Sequence, residues 1–130
     1  MYRVGKSSLL LRFVQGAFDE SYSPTIGNTL HKSITVRGQQ YALELMDTAG
    51  QDEHDVLSSN FALRVHGYVL VYSITSESSF EMVKTIYDKI LDKTGTNWVP
   101  AVLVGNKCDL QGQRCVSRSC RTNKHGLNIV

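Results

Sequence analysis

Polar and apolar positions along the chain fall into segments with different periods. Leu10, Phe13 and Val14 recur at helical spacing within the leucine-rich stretch 9–14, and Gly16 supplies a stop. Gly5-Lys6-Ser7 therefore sits where a helix begins. Residues 17–28, punctuated by Pro24 and Gly27, read as a loop. Leu30, Lys32, Ile34 and Val36 then alternate with Thr29, His31, Ser33 and Thr35, which is the period of a strand. Arg37-Gly38-Gln39-Gln40 turns that strand back into Tyr41–Asp47, so the pair predicts a hairpin.

Further on, Asp55 to Val65 predicts an irregular helix, and Gly67 to Ile74 is a continuous apolar run expected of a strand covered on both faces. Ser78 with Glu81 fits a capping box. Phe80, Val83, Ile86, Tyr87 and Ile90 then mark one face of a helix reaching Lys93, with Gly95 beyond it. Val99 to Gly105 is a second buried strand and leads into Asn106-Lys107-Cys108-Asp109. Buried strands alternating with helices predict an open, mostly parallel α/β sheet with one antiparallel hairpin. In such sheets ligands bind at the carboxyl ends of the strands. The candidate chemistry lies at such ends or at a helix start.

Composition narrows the class. The 130 residues allow one domain at most, and 42% hydrophobic with 20% charged residues is ordinary for a soluble globular chain. A net charge of +2 gives no bulk case for nucleic acid. Four of the 14 basic residues, Arg114, Arg118, Arg121 and Lys124, follow residue 113 with no acid among them. Everything before them therefore carries ten basic against 12 acidic groups. Cys108, Cys115 and Cys120 are odd in number and lack metal spacing, which favours free thiols in a reducing compartment. The apolar runs are far too short to span a bilayer, and no signal peptide opens the sequence.

Four stretches carry chemistry. Gly5-Lys6-Ser7, with Ser8, is the tail of a phosphate loop of the form G-x-x-x-x-G-K-[ST]. Glycine lets backbone N–H groups face a phosphate at the helix start, the lysine reaches the β/γ-phosphates, and the serine hydroxyl ligates Mg²⁺. Thr25, after Pro24, offers a second hard oxygen ligand from a loop. Asp47-Thr48-Ala49-Gly50-Gln51 closes the second hairpin strand. A carboxylate at a buried strand end is costly unless something uses it, and Asp47 would hold Mg²⁺. The Gly50 N–H would meet a terminal phosphate, and Gln51 would orient an attacking water. In Asn106-Lys107-Cys108-Asp109 the carboxylate of Asp109 suits guanine's N1–H and N2 amino group. Phe18 is a loop aromatic that could stack on a base or join the core. Each stretch alone is equally a helix start or a polar turn. Their joint order and positions are what point to a nucleotide site.

With these motifs in place, the chain resembles the Ras superfamily of small GTPases, and within it the Rheb branch. Ser21-Tyr22-Ser23-Pro24-Thr25-Ile26, Asp47-Thr48-Ala49-Gly50-Gln51-Asp52-Glu53, Gly67 to Ser73 with Ser79-Phe80-Glu81, and Val102 to Asp109 carry the resemblance. It implies a P-loop NTPase fold and a GTP/GDP switch with Mg²⁺. It also implies that Gln51, Thr25 and Lys6 serve catalysis. Gly5, Lys6, Ser7, Ser8, Phe18, Tyr22, Thr25, Gly50, Asn106, Lys107 and Asp109 would contact the nucleotide. Ser7, Thr25 and Asp47 would hold the metal. GTPase-activating and effector proteins would dock on residues 20–30 and 47–60.

Departures from the family pattern set further expectations. A complete member begins with a strand in the middle of the sheet, ahead of the phosphate loop, which this sequence lacks. Residues 1–117 are expected to form a partial G domain, and 118–130 a poorly ordered basic tail without the last strand and helix. The sequence shows no C-terminal prenylation box, which points to the cytoplasm rather than a membrane anchor. A reading of another class is a shortened, catalytically silent chain acting only through its switch-region surface, with weak or absent nucleotide affinity. An adenine-specific P-loop ATPase fits less well, because Asp109 suits guanine.

Overall fold

The computed structural model describes residues 3–16, 28–48, 63–118 and 128–129. Helix α1 spans Lys6–Gln15, flanked by Gly5 at φ 89° and by Gly16 at φ 69°, whose N–H bonds to Arg12 O. Its start and stop are those the sequence predicts. Strands β1 (Asn28–Val36) and β2 (Gln39–Asp47) pair antiparallel from Asn28 opposite Asp47 to Val36 opposite Gln39. The connecting turn is only Arg37-Gly38, both at positive φ. Two such residues form the turn whose twist matches a hairpin, so Gln39 and Gln40 belong to the strand rather than the turn. Phe13 of α1 lies under the Lys32 ammonium, 5.0 Å from ring centroid to nitrogen, which seats the helix on the hairpin.

Strand β3 (Tyr68–Ser73) is followed by helix α2 (Glu77–Thr94) and strand β4 (Ala101–Asn106), which lies parallel to β3. A short 3₁₀ helix occupies Cys108–Gln113. The α2 face predicted from periodicity is the one that buries: Phe80, Val83, Tyr87 and Ile90 pack with Leu70, Tyr72 and Leu103 into the main core. Tyr72 meets Phe80 edge-on at 5.0 Å. Each such side chain contributes about 2 kcal/mol on burial. That is why α2 sits against the sheet despite its charged outer face.

Several expectations are corrected. The cap of α2 is Ser76, whose Oγ accepts the Ser79 N–H at 3.3 Å, and not Ser78. The chain turns immediately after β3, closed by Ser76 N–H to Ser73 O at 3.0 Å, so the helix starts two residues early. Glu81 is then released to pair with Lys84 at 2.7 Å. Strand β3 is covered on both faces from Leu70 onward: Leu70 and Tyr72 meet α2, and Val71 and Ser73 on the opposite face are 4% and 2% exposed, whereas Val69 at the strand's start is 58% exposed. Of the helix expected over Asp55 to Val65, residues 55–62 lie outside the described residues, and Leu63-Arg64 form a turn.

Among the described residues the strands form two sheets, β1-β2 antiparallel and β3-β4 extended by β5 (Asn128–Ile129), which runs parallel to β4. The α/β class and parallel character follow the sequence reading. No described strand joins the hairpin to the parallel sheet, where the resemblance puts the strand ahead of the phosphate loop. Asn128–Ile129 lie in the tail from which no strand was expected. No helix among the described residues is long and apolar enough to cross a membrane.

Candidate functional site

The site begins at Val4-Gly5. Val4 is buried, and Gly5 takes a left-handed conformation as the residue preceding α1. The cap residue is a glycine and offers no side-chain cap, and no acid lies in the first turn. Such an end presents backbone N–H donors and the positive pole of the dipole, which suits an anion. Lys6, Ser7 and Ser8 occupy that first turn, half-buried.

From the other side comes the end of β4. Asn106 Nδ2 donates to Val4 O at 2.9 Å, across a separation of 102 residues. The approach is so close that a Cβ on Gly5 would collide with Asn106 Nδ2. The glycine is thus required twice, for its backbone angle and for the amide beside it. Lys107 follows at φ 69°, and the chain tightens into the 3₁₀ turn with Leu110 N–H on Lys107 O at 2.9 Å. Asp109 stands exposed on that turn, free to meet a ligand from solvent. Two sequence stretches read separately, Gly5-Lys6-Ser7 and Asn106-Lys107-Cys108-Asp109, therefore form one place.

Asp47 ends β2 and is 6% exposed, with an Oδ1 that has no hydrogen-bond partner among the described residues. A buried carboxylate oxygen left unmet is unfavourable unless a ligand completes it. A hydrated Mg²⁺, which takes hard oxygen ligands and retains waters, fits that oxygen. No cluster of three or more His, Cys, Asp or Glu suited to a metal occurs among the described residues. Phe18, Tyr22, Thr25, Gly50 and Gln51 lie outside the described residues.

Residue types did not reveal every participant. The Val4 carbonyl and the Ile74 peptide act through the main chain. Ile74 N–H donates to Asn106 O at 3.1 Å, and Ile74 O accepts from Cys115 and Val116 N–H at 2.8 and 3.1 Å. Main-chain groups carry no side-chain signature, so no signal in the sequence marks them. Cys108 and Cys115 are exposed free thiols, and Cys120 lies outside the described residues.

A glycine-started helix facing an Asn-Lys-x-Asp turn, on a parallel α/β frame, is the layout of a P-loop NTPase fold, and the chain belongs to the Ras family, whose model matches residues 2–126. Within the superfamily it groups with the Rheb branch. It is 60% identical over 114 residues to the GTP-binding protein rhb1 of Schizosaccharomyces pombe, covering 88% of this chain and 62% of that protein. It is 56% identical over 114 residues to the GTP-binding protein Rheb homolog of Drosophila melanogaster, covering 88% of this chain and 63% of that protein. With GTP-binding protein Rheb of Homo sapiens it shares 53% over 114 residues, 88% of this chain and 62% of that protein. The chain thus spans less than two thirds of the length of these relatives.

Proposed function

We propose that this chain is a guanine-nucleotide switch that binds GTP and GDP with Mg²⁺ and hydrolyses GTP. The observation that carries the reading is the Asn106–Val4 hydrogen bond at 2.9 Å, which joins a base-reading turn to a phosphate-binding helix start. The names of its Rheb relatives, which are GTP-binding proteins, agree with it.

The residue roles follow from chemistry. The N–H groups at Gly5, Lys6, Ser7 and Ser8 receive phosphate oxygens, and the Lys6 ammonium offsets their charge. Asp109 accepts guanine's N1–H and N2 amino protons, which adenine cannot offer. Asn106 ties that turn to the phosphate loop, and Lys107 turns the chain between them. Ser7, Thr25 and Asp47 would hold Mg²⁺, which when bound neutralises charge on the β/γ oxygens. Thr25 and Gly50 respond to the terminal phosphate, and Gln51 orients the attacking water. Phe18 and Tyr22 contact the nucleotide from the loop. Residues 20–30 and 47–60 are the surface through which GTPase-activating and effector proteins would sense the bound state. The cytoplasm is the proposed location.

Titration with a fluorescent guanine nucleotide in Mg²⁺ buffer tests the reading. Saturable binding displaced by GTP and not by ATP is expected. Asp109→Asn should cut the preference for guanine at least about tenfold, since it removes a charge-assisted contact. Absence of saturable binding, or ATP competing as well as GTP, overturns it.

A further inference from the structure

Ser79 is 6% exposed and takes no part in the roles assigned above. Its hydroxyl links two elements. Oγ accepts the Ser73 backbone N–H at 3.0 Å and donates to Ser76 O at 2.7 Å. Neighbouring residues of a strand aim their backbone groups to opposite sides. Ile74 N–H goes to Asn106 of β4, so Ser73 N–H points away from that strand. Ser73 is 2% exposed, so neither water nor a strand is at hand to replace Ser79 among the described residues.

The consequence lies one peptide further on. Ile74 holds both ends of the segment 106–116. Its N–H bonds to Asn106 O at 3.1 Å, and its carbonyl receives Cys115 and Val116 N–H at 2.8 and 3.1 Å. Between those bonds lie Lys107, Asp109 and a short 3₁₀ helix, whose hydrogen-bond geometry is weaker than an α-helix's. Arg114 adds a brace within the segment, from Nη1 to Val116 O at 3.1 Å. The register of the base-reading turn thus depends on how the Ile74 peptide is oriented, and the preceding peptide is clamped by Ser79.

We propose that Ser79 is a positioning residue for guanine recognition: its hydroxyl fixes the Ser73 peptide and, through Ile74, both ends of the Asn106–Val116 segment. The proposal rests on reading Asn106 to Asp109 as the guanine site. A merely structural role for Ser79 would be to hold the first turn of α2. Ser76 also holds that turn, through its cap bond to Ser79 N–H at 3.3 Å, which does not use the Ser79 hydroxyl.

The test combines hydrogen exchange on the full chain with GTP-against-ATP competition. Ser79→Ala should speed exchange at the Cys115 and Val116 amides about tenfold, as local opening becomes easier, and should lower the preference for GTP over ATP. Ser79→Thr, which keeps the hydroxyl, should restore both. Ser79→Cys, a near-isostere with a weak acceptor, should show a smaller rise and serves if the alanine variant does not fold. Ser76→Ala should lower the unfolding midpoint without moving either readout. Unchanged exchange in Ser79→Ala and Ser79→Cys, or an equal rise in Ser76→Ala, overturns the clamp. Lack of guanine preference in the unsubstituted chain overturns the functional reading instead, since the exchange arm contains no nucleotide.

Discussion

At the scale of single residues, the site places groups where stability alone would not put them. Gly5 sits at φ 89° against the Asn106 amide, and Asp47 keeps a buried Oδ1 without a partner among the described residues. Such a carboxylate opposes folding until a ligand meets it. Asp47→Asn preserves the shape and removes the charge. It is expected to raise the free energy of urea unfolding by about 1 kcal/mol in metal-free buffer. The same substitution should erase any stabilisation by Mg²⁺ with GTP. A lower unfolding midpoint in metal-free buffer would contradict the assignment.

At the scale of elements, β3 and α2 carry the core, and the first residue of β3 reports on it. Burial pushes the Tyr68 phenol above its ordinary 10.0. The unfolded chain releases that proton near 10.0, whereas the folded chain holds it to higher pH. The folded state therefore keeps its full advantage below that pH and loses it as pH rises through the folded value. Urea unfolding across an alkaline series should show stability falling above about pH 10. Tyr68→Phe should flatten that part of the profile. The same pair of elements shows where local pattern is legible. The apolar face Phe80, Val83, Tyr87 and Ile90 could be read from spacing alone, because a helix repeats every 3.6 residues whatever it packs on. The cap could not, because the choice between Ser76 and Ser78 was made by where β3 ends and turns.

At the scale of the molecule, the antiparallel hairpin with α1 and the parallel sheet with α2 meet through Val4 and Asn106. A ligand spanning the α1 start and the 3₁₀ turn would bind both halves at once. It would stabilise them together by mass action. At a hundredfold excess over its dissociation constant, the gain is about 2.7 kcal/mol. A thermal melt with GTP and Mg²⁺ should therefore show one cooperative transition moved upward, and ATP should move it less. Separate transitions for the two halves, or no shift, would argue against a shared site.

The sequence by itself determined what is local and periodic. The start of α1 at Gly5, its stop at Gly16, the alternation of the hairpin and the buried face of α2 all follow from spacing and backbone preference over a few residues. The order of the motifs is also legible in the sequence, and the family it pointed to is the one the chain belongs to. How groups distant in the chain meet, and which are covered, was settled by tertiary packing alone. The Asn106–Val4 bond, the Ile74 peptide that brackets 106–116, the exposure of Val69 and the pairing of Asn128–Ile129 with β4 belong to this kind. For the main-chain bonds among them the reason is general. Every residue except proline carries the same N–H and C=O, so which of them bond across a hundred residues is chosen by packing and not by residue type.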